Sequence, residues 1–131
     1  MKDFTLSNVD NLFIHLTNDA IQKKHQDYGK FENGNKMSYY DFQRVIDNDY
    51  SDKHVNFHRD ILPQIKRLVA DSFESVFSLI DPKGHHSSFE LFGFDFMMDE
   101  NFKVYIIEIN TNPCLSTPCP LLTRIISSVI D

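Results

Sequence analysis

Three oxygen-bearing side chains, Asp95, Glu108 and Asn110, stand out within otherwise apolar residues. Asp95 lies in an aromatic-rich run at 89–98, and Glu108 lies in a β-branched, apolar run at 102–109. Both runs are typical of β-strands. Carboxylate and amide oxygens are suitable ligands for a hard divalent cation such as Mg²⁺. The sequence therefore indicates a Mg²⁺ site, provided that the three side chains face the same way.

The residues between the two runs decide how the acids face. The sequence Asp-Glu-Asn at 99–101 breaks the apolar pattern and predicts the turn of a β-hairpin. A turn of two or four residues pairs Met98 with Lys103, and Asp95 with Ile106. Directly opposed residues of an antiparallel pair point to the same side of the sheet.

Side chains along one strand also alternate, so Ile106, Glu108 and Asn110 are predicted to share a face. With the pairing above, Asp95 then lies on that face, roughly 7–8 Å diagonally from Glu108 at the backbone. An odd-length turn would instead put Asp95 on the opposite face. Charges in such strands are costly unless they are paired, hydrated or bound to a cation. Asp95 could therefore cap a strand end instead, and Glu108 could pair with a Lys or Arg from elsewhere.

Composition limits the class of protein. A chain of 131 residues is one modest domain or part of one, and 41% hydrophobic residues allow a packed core. A net charge of −6 argues against a nucleic-acid binder. Neither a membrane-spanning run nor a signal peptide is predicted. Cys114 and Cys119 are too few for a tetrahedral zinc site, so we interpret them as reduced structural thiols of a cytosolic protein.

The first third of the chain predicts short elements. Residues 11–16 are interpreted as a strand, and residues 17–19 as the cap of a short helix at 20–25. Residues 26–36 form a polar loop rich in Gly and Asn. Ser38 is the predicted N-cap of a helix at 39–46.

Two longer helices and the hairpin complete the predicted fold. Apolar residues at three- and four-residue spacing predict a helix at 61–80, with Asp60 as N-cap and Pro63 in the first turn. The Asp-Pro-Lys-Gly sequence at 81–84 ends it, and residues 85–88 lead into the hairpin. A last amphipathic helix begins at Thr117, with Pro118 in its first position. Two main helices packed on a short antiparallel sheet predict the α+β class.

Three segments resemble the tubulin–tyrosine ligase family. The run FELFGFDFMMDENFKVYIIEINTNPCL at 89–115 is similar to the last hairpin of that family. FIHLTNDAIQK at 13–23 resembles its HLTN element, and ILPQIKRLVA at 61–70 resembles the long helix between them. The three segments occur in the family's order and cover nearly the whole chain. The resemblance implies that residues 1–131 are a partial domain, the C-terminal lobe of an ATP-grasp fold, with the upstream half absent.

The resemblance also implies roles for individual residues. Asp95, Glu108 and Asn110 match the acids and the amide that hold the metal and serve catalysis. The residues expected to contact the nucleotide are His15, Leu16, Thr17, Asn18 and Ile107. From the residues alone, Thr17 and Asn18 are more typical of helix caps, and Ile107 of plain core.

The implied activity is addition of an amino acid to tubulin by an ATP- and Mg²⁺-dependent ligase, through an acyl phosphate. Tyrosine is preferred over glutamate or glycine because of the hairpin sequence and its NTNPCL exit. The expected partners are a tubulin tail and a free amino acid, and the expected location is the cytoplasm, at the cytoskeleton or cilium. The family's phosphate-binding lysines lie upstream of HLTN, so an N-terminal lobe is required and this chain alone is expected to be inactive. The alternative is a catalytically inactive binding or scaffold remnant.

Overall fold

The structure is a computed structural model that describes residues 6–7, 9–84 and 89–130. Its helices and strands are α1 (Leu12–His15), α2 (Asp19–Gln22), α3 (Tyr39–Asp49), α4 (Leu62–Ile80), β1 (Gly93–Met98), β2 (Val104–Asn110) and α5 (Pro120–Ile130). The two strands form one antiparallel sheet. Helices with a short antiparallel sheet confirm the α+β class.

The chain divides into two compact units. The first unit comprises Met1–Met37 with Thr117–Asp131, and the second unit comprises Ser38–Ser116. The second unit holds α3, α4 and the hairpin of β1 and β2, so it contains all three predicted metal ligands.

The core of the second unit joins both helices to the hairpin. Its buried side chains are Ile46, Phe57, Ile61, Phe102 and Val104. Phe96 and Met98 of β1 pack against this cluster. Burial of apolar side chains, at about 25 cal/mol per Å² of surface removed from water, therefore holds one face of the hairpin on the helices.

The long helix begins differently from the prediction. A π-helical turn, Phe57–Ile61, precedes α4, and its N-cap is Asn56, whose side chain accepts from the Arg59 N–H at 3.0 Å. Asp60 is not the N-cap; its carboxylate accepts from the Asn56 N–H at 2.7 Å. The wider turn comes immediately before Pro63, which lacks the N–H that an α-helix needs.

The helix ends of the second unit follow the sequence closely. The Ser38 hydroxyl accepts from the Asp41 N–H at 3.2 Å, which confirms the predicted N-cap of α3. This helix continues to Asp49, beyond the predicted end at 46. Helix α4 ends at Ile80, where the sequence predicted it. The predicted lead-in at 85–88 lies outside the described residues.

In the first unit, the strand predicted at 11–16 is wrong, because Leu12–His15 forms a helical turn. Within the described residues, the only strands pair with each other, so a strand here would leave its backbone groups without a ladder. Helix α2 also begins and ends earlier than the predicted span of 20–25.

The last helix begins at Pro120 and not at Thr117. The second proline of the Pro-Cys-Pro sequence therefore takes the first helical position, and Cys119, just before it, is buried. Of the helices that the structure describes, none has the length and the apolar character needed to cross a membrane.

Candidate metal centre

The loop of the hairpin differs from the predicted even-length turn. The Asp99 N–H donates to the Lys103 carbonyl at 3.1 Å, and the Phe102 N–H donates to the Asp99 carbonyl at 3.0 Å. Phe102 has a φ of 61°, in the left-handed region. This pattern is a three-residue hairpin loop that ends in a left-handed residue. The sequence did not indicate this loop, because Gly or Asn usually takes the left-handed position, and here that position holds a buried Phe.

Asp99 stabilises this loop through its carboxylate. One oxygen accepts from the N–H groups of Asn101 at 2.9 Å and Lys103 at 3.0 Å. The Tyr105 hydroxyl donates to the other oxygen at 3.2 Å. The Lys103 N–H holds the pKa of Asp99 below its ordinary value, and the Asn101 N–H and the Tyr105 hydroxyl add to this effect.

A β-bulge then shifts the strands a second time. Phe96 pairs with Ile106, but Asp95 pairs with Glu108, so Ile107 is the extra residue on β2. The predicted pairs of Asp95 with Ile106 and of Met98 with Lys103 are therefore wrong; Met98 pairs with Val104. The odd-length loop alone would separate the acids onto opposite faces. The bulge restores them to one face and places them directly opposite each other.

The two faces of the hairpin have different contents. The helix-packed face carries the residues directed at α4 and the core, namely Phe94, Phe96, Met98, Val104 and Ile106. The acid face carries the residues between them, namely Gly93, Asp95, Met97, Tyr105, Glu108 and Asn110. Ile106 was predicted to share a face with Glu108. That prediction is wrong, because the bulge at Ile107 lies between them.

The acid face is open to solvent. Asp95 and Glu108 are exposed, and directly opposed residues have Cβ atoms about 4.5–5.5 Å apart. Asn110 is half-buried, and its Nδ2 donates to Asp95 Oδ2 at 3.4 Å. Within the described part of the chain, neither carboxylate forms an ion pair with a Lys, Arg or His side chain.

Glu108 is thus exposed and not enclosed by apolar side chains. Its neighbour Ile107, which the residues alone indicated as plain core, is 57% exposed, and its neighbour Ile109 is 43% exposed. Tyr105 is 43% exposed, and its hydroxyl donates to the Asp99 carboxylate in the loop. Exposure removes the desolvation cost that a buried carboxylate would carry.

Gly93 makes room at the end of the acid face. It pairs with Asn110, and a Cβ added to it would lie 2.9 Å from the Pro113 Cβ. Such an approach is too close for any other residue, so the glycine lets the chain after β2 pass close to β1. The glycine of the Gly-x-Asp sequence is therefore part of the shape of this face.

The residues present fit a hard divalent cation. Asp95, Glu108 and Asn110 offer two carboxylates and an amide on one exposed surface. The contact from Asn110 Nδ2 to Asp95 is long, so the amide can turn its oxygen outward at little cost. Among the described residues, no group of three or more His, Cys, Asp or Glu side chains could hold a metal. A cation held by these three side chains would take its remaining ligands from other oxygen atoms, such as those of water.

A cavity in the second unit does not coincide with the acids. It has a volume of ≈ 290 Å³ and is lined by residues of α3 and the segment after it, including Gln43, Asp47, Tyr50 and His54. Cation binding requires convergent oxygen atoms and not an enclosed volume, so the acid face fits a cation better than this cavity does.

The HLTN segment lies in the first unit, and Asn18 within it caps a helix. His15 is the last residue of α1, and Leu16, Thr17 and Asn18 connect it to α2. Asn18 Oδ1 accepts from the Ala20 N–H at 2.9 Å. The nucleotide role of these four residues stays a prediction, as does that of Ile107.

Asp19, directly after this segment, is a structural centre that the sequence interpretation missed. Its carboxylate contacts Lys23 Nζ at 2.8 Å, Lys36 Nζ at 2.9 Å and the Tyr28 hydroxyl at 2.9 Å. These partners, Lys23 first, lower the pKa of Asp19 to about 2. The sequence predicts only a polar loop at 26–36. Within that loop, Tyr28 and Lys36 were the only signals that side-chain contacts with Asp19 hold the loop in place.

The fold and the acid face define an α+β segment with a candidate divalent-cation site. The family model of the "Tubulin-tyrosine ligase family" matches residues 1–131, so the chain belongs to that family. This confirms the family resemblance of the sequence.

Curated relatives cover the chain but are much longer. "Tubulin glycylase 3D" of Tetrahymena thermophila is 30% identical over 98% of this chain and 12% of its own length. "Probable alpha-tubulin polyglutamylase Ttll1" of the same organism is 36% identical over 85% of this chain and 25% of its length. "Protein polyglycylase TTLL10" of Rattus norvegicus is 34% identical over 88% of this chain and 17% of its length.

Proposed function

We propose that this chain is the metal-binding segment of an ATP- and Mg²⁺-dependent ligase that joins an amino acid to tubulin. Family membership and the names of the relatives support this proposal. The chain spans between 12% and 25% of the length of the three relatives described above, so the activity of the whole protein is part of this proposal. The observation that carries the proposal is the direct opposition of Asp95 and Glu108, with Asn110 beside them.

The acid face supplies the ligands of the metal. Asp95, Glu108 and Asn110 would hold Mg²⁺ through oxygen atoms, and their exposure leaves room for phosphate oxygens. Bound there, Mg²⁺ would neutralise the phosphate oxygens of ATP. The residues proposed to contact the nucleotide are His15, Leu16, Thr17, Asn18 and Ile107.

The proposed reaction consists of two substitution steps. A carboxylate on tubulin attacks the terminal phosphorus of ATP, and ADP leaves. The amine of the amino acid then attacks the acyl phosphate carbonyl, and phosphate leaves with formation of the amide. The protein's contribution is to position these groups and to compensate the charge of the phosphates.

The relatives favour a different amino acid from the hairpin sequence. The three described above are named for glycine or glutamate, whereas the NTNPCL exit favoured tyrosine. We therefore propose glycine or glutamate as the amino acid. The proposed setting is the cytoplasm, at microtubules of the cytoskeleton or cilium.

A chimera tests the proposal. Residues 1–131 replace the matching segment of the rat polyglycylase, and the chimera is assayed for incorporation of labelled glycine, glutamate and tyrosine. The chimera should remain active, and Glu108→Gln should abolish its activity. Loss of one charged ligand should remove several kcal/mol of transition-state stabilisation, and each loss of about 1.4 kcal/mol lowers the rate about tenfold.

The matched control is Glu100→Gln, which changes an exposed acid of the hairpin loop outside the acid face. A soluble, folded chimera that is inactive with wild-type residues 1–131 would support the alternative of an inactive remnant. Equal activity of the Glu108→Gln and Glu100→Gln chimeras would exclude the role assigned to Glu108.

A further inference from the structure

We propose that Gln64 is a positioning residue for the acid face, acting by fixing the start of β2. The inference rests on the proposed function, because the acid face is the metal site of that proposal. Gln64 itself touches neither the acids nor any group that they would bind. It acts through the backbone of the strand that carries Glu108 and Asn110.

The side-chain amide of Gln64 binds both polar groups at the start of β2. Its Nε2 donates to the Phe102 carbonyl at 3.0 Å, and its Oε1 accepts from the Val104 N–H at 3.1 Å. Nε2 also donates to the Asp60 carbonyl at 2.8 Å, within the preceding helical turn. All of these groups are partly buried, so each lost bond would leave a polar atom poorly hydrated.

The side-chain amide of Gln64 makes the two hydrogen bonds that a neighbouring parallel strand would make. In a parallel ladder, one residue donates to the carbonyl before its partner and accepts from the N–H after it. Gln64 makes the same two bonds around Lys103, with its side-chain amide in place of a peptide group. The outer edge of β2 is therefore paired at this point, although the sheet has two strands.

The start of β2 is the place where such pairing matters for the acids. Phe102 is buried in the left-handed conformation, and Val104 is buried opposite Met98. A one-residue slip of a strand moves every side chain to the other face. Because the bulge at Ile107 already offsets the odd-length loop, a one-residue slip at Val104 would remove Glu108 from the acid face.

Gln43 provides a matched control within the same unit. Its Nε2 donates to Asp47 Oδ1 at 2.7 Å and to the Val55 carbonyl at 3.1 Å. Its Oε1 accepts from the Phe57 N–H at 2.6 Å. Gln43 thus makes the same number of amide bonds as Gln64, but none to the hairpin.

The test compares Gln64→Met with Gln43→Met in the full 131-residue chain. Both replacements keep side-chain length and remove every amide bond. Mn²⁺ is titrated into each protein, and paramagnetic broadening of the Asp95 and Glu108 amide signals is measured by NMR. Loss of a group that orients metal ligands typically costs 10–100-fold in affinity, so we expect about a tenfold higher half-point for Gln64→Met. The half-point of Gln43→Met should match the wild type.

Hydrogen exchange at Val104 gives a readout that does not depend on metal. Gln64→Met should expose this amide and accelerate its exchange by about tenfold, while Gln43→Met leaves it unchanged. Wild-type exchange and Mn²⁺ response in Gln64→Met would overturn the proposal. So would equal losses in the two variants, because both would then report only stability.

The proposed function can fail separately. If Mn²⁺ broadens no signal of the acid face in the wild type, the metal role is wrong, and Val104 exchange still decides whether Gln64 fixes the strand. If Gln64→Met does not fold, Gln64→Glu replaces it. That variant keeps the acceptor for Val104 and loses the donor for Phe102, so intermediate exchange supports the proposal and wild-type exchange overturns it.

Discussion

The two faces of the hairpin belong to the same strands but are held by different physics. The helix-packed face contributes Val104 to the core, and Phe96 and Met98 pack against it. The acid face places exposed Asp95 and Glu108 opposite each other. Burial stabilises the first face, whereas two adjacent like charges weaken the second. Stability and the proposed cation binding therefore depend on opposite sides of one sheet. Substitutions on the helix-packed face should lower stability, and substitutions on the acid face should weaken binding.

The largest expected effect is in the core against which the helix-packed face lies. Phe102→Ala removes a buried aromatic side chain that contacts Tyr50 at 5.5 Å between ring centroids. We expect a loss of about 3–5 kcal/mol in the free energy of unfolding, measured by chemical denaturation. Phe102→Gly should lose about 1 kcal/mol less, because glycine adopts the left-handed φ without penalty. A glycine variant less stable than the alanine variant would contradict the assignment of strain to this loop.

Gly93→Ala should disturb both faces together. The new Cβ would meet the Pro113 Cβ at 2.9 Å, so the chain after β2 must move. We expect a loss of about 1–3 kcal/mol in the free energy of unfolding, together with shifted NMR signals at Asn110. The double variant Gly93→Ala, Pro113→Gly removes the opposing Cβ and should recover most of the stability. Failure to recover would show that the close approach is not the cause.

A smaller effect is expected from acid at the hairpin loop. The folded pKa of Asp99 lies below its ordinary value of about 3.9, so its stabilising bonds are fully present above that value. They are lost as the pH falls from about 4 through the lowered folded pKa. The protection of the Lys103 amide against hydrogen exchange, taken relative to the intrinsic exchange rate at each pH, should therefore fall in that range more than the protection of the Val104 amide. Asp99→Asn should remove this dependence on pH, and an unchanged dependence would assign it to another group.

How far the sequence predicted this molecule depends on how local the signals were. The apolar spacing of α4 and the Ser38 cap lie within one element, so the sequence indicated both correctly. The faces of the hairpin depend on loop and bulge geometry. The sequence predicts the acids on one face because of a turn with an even number of residues. In the structure, a loop with an odd number of residues and a bulge at Ile107 together bring the acids to one face.

Other features could not be predicted because they depend on distant partners. Gln64 is an ordinary helix residue in the sequence, and only the folded chain shows its amide at Phe102 and Val104. Residues 11–16 have the composition of a strand, but strand formation needs a neighbour to pair with. Exposure of Ile107 and Ile109 is likewise a property of the packing around the hairpin and not of the residues themselves.

The most direct test of the central claim is a Mg²⁺ titration of the whole chain, followed by NMR. Glu108→Gln and its control Glu100→Gln are surface substitutions, so each should change stability by less than about 0.5 kcal/mol. We expect saturable shifts of the amide NMR signals of Gly93, Asp95, Glu108 and Asn110. The Kd for Mg²⁺ should be around millimolar, which is a binding free energy of about −4 kcal/mol. These shifts should disappear in Glu108→Gln and persist in Glu100→Gln. Shifts confined to other acidic surfaces, or undiminished in Glu108→Gln, would contradict the claim that the acid face holds the metal.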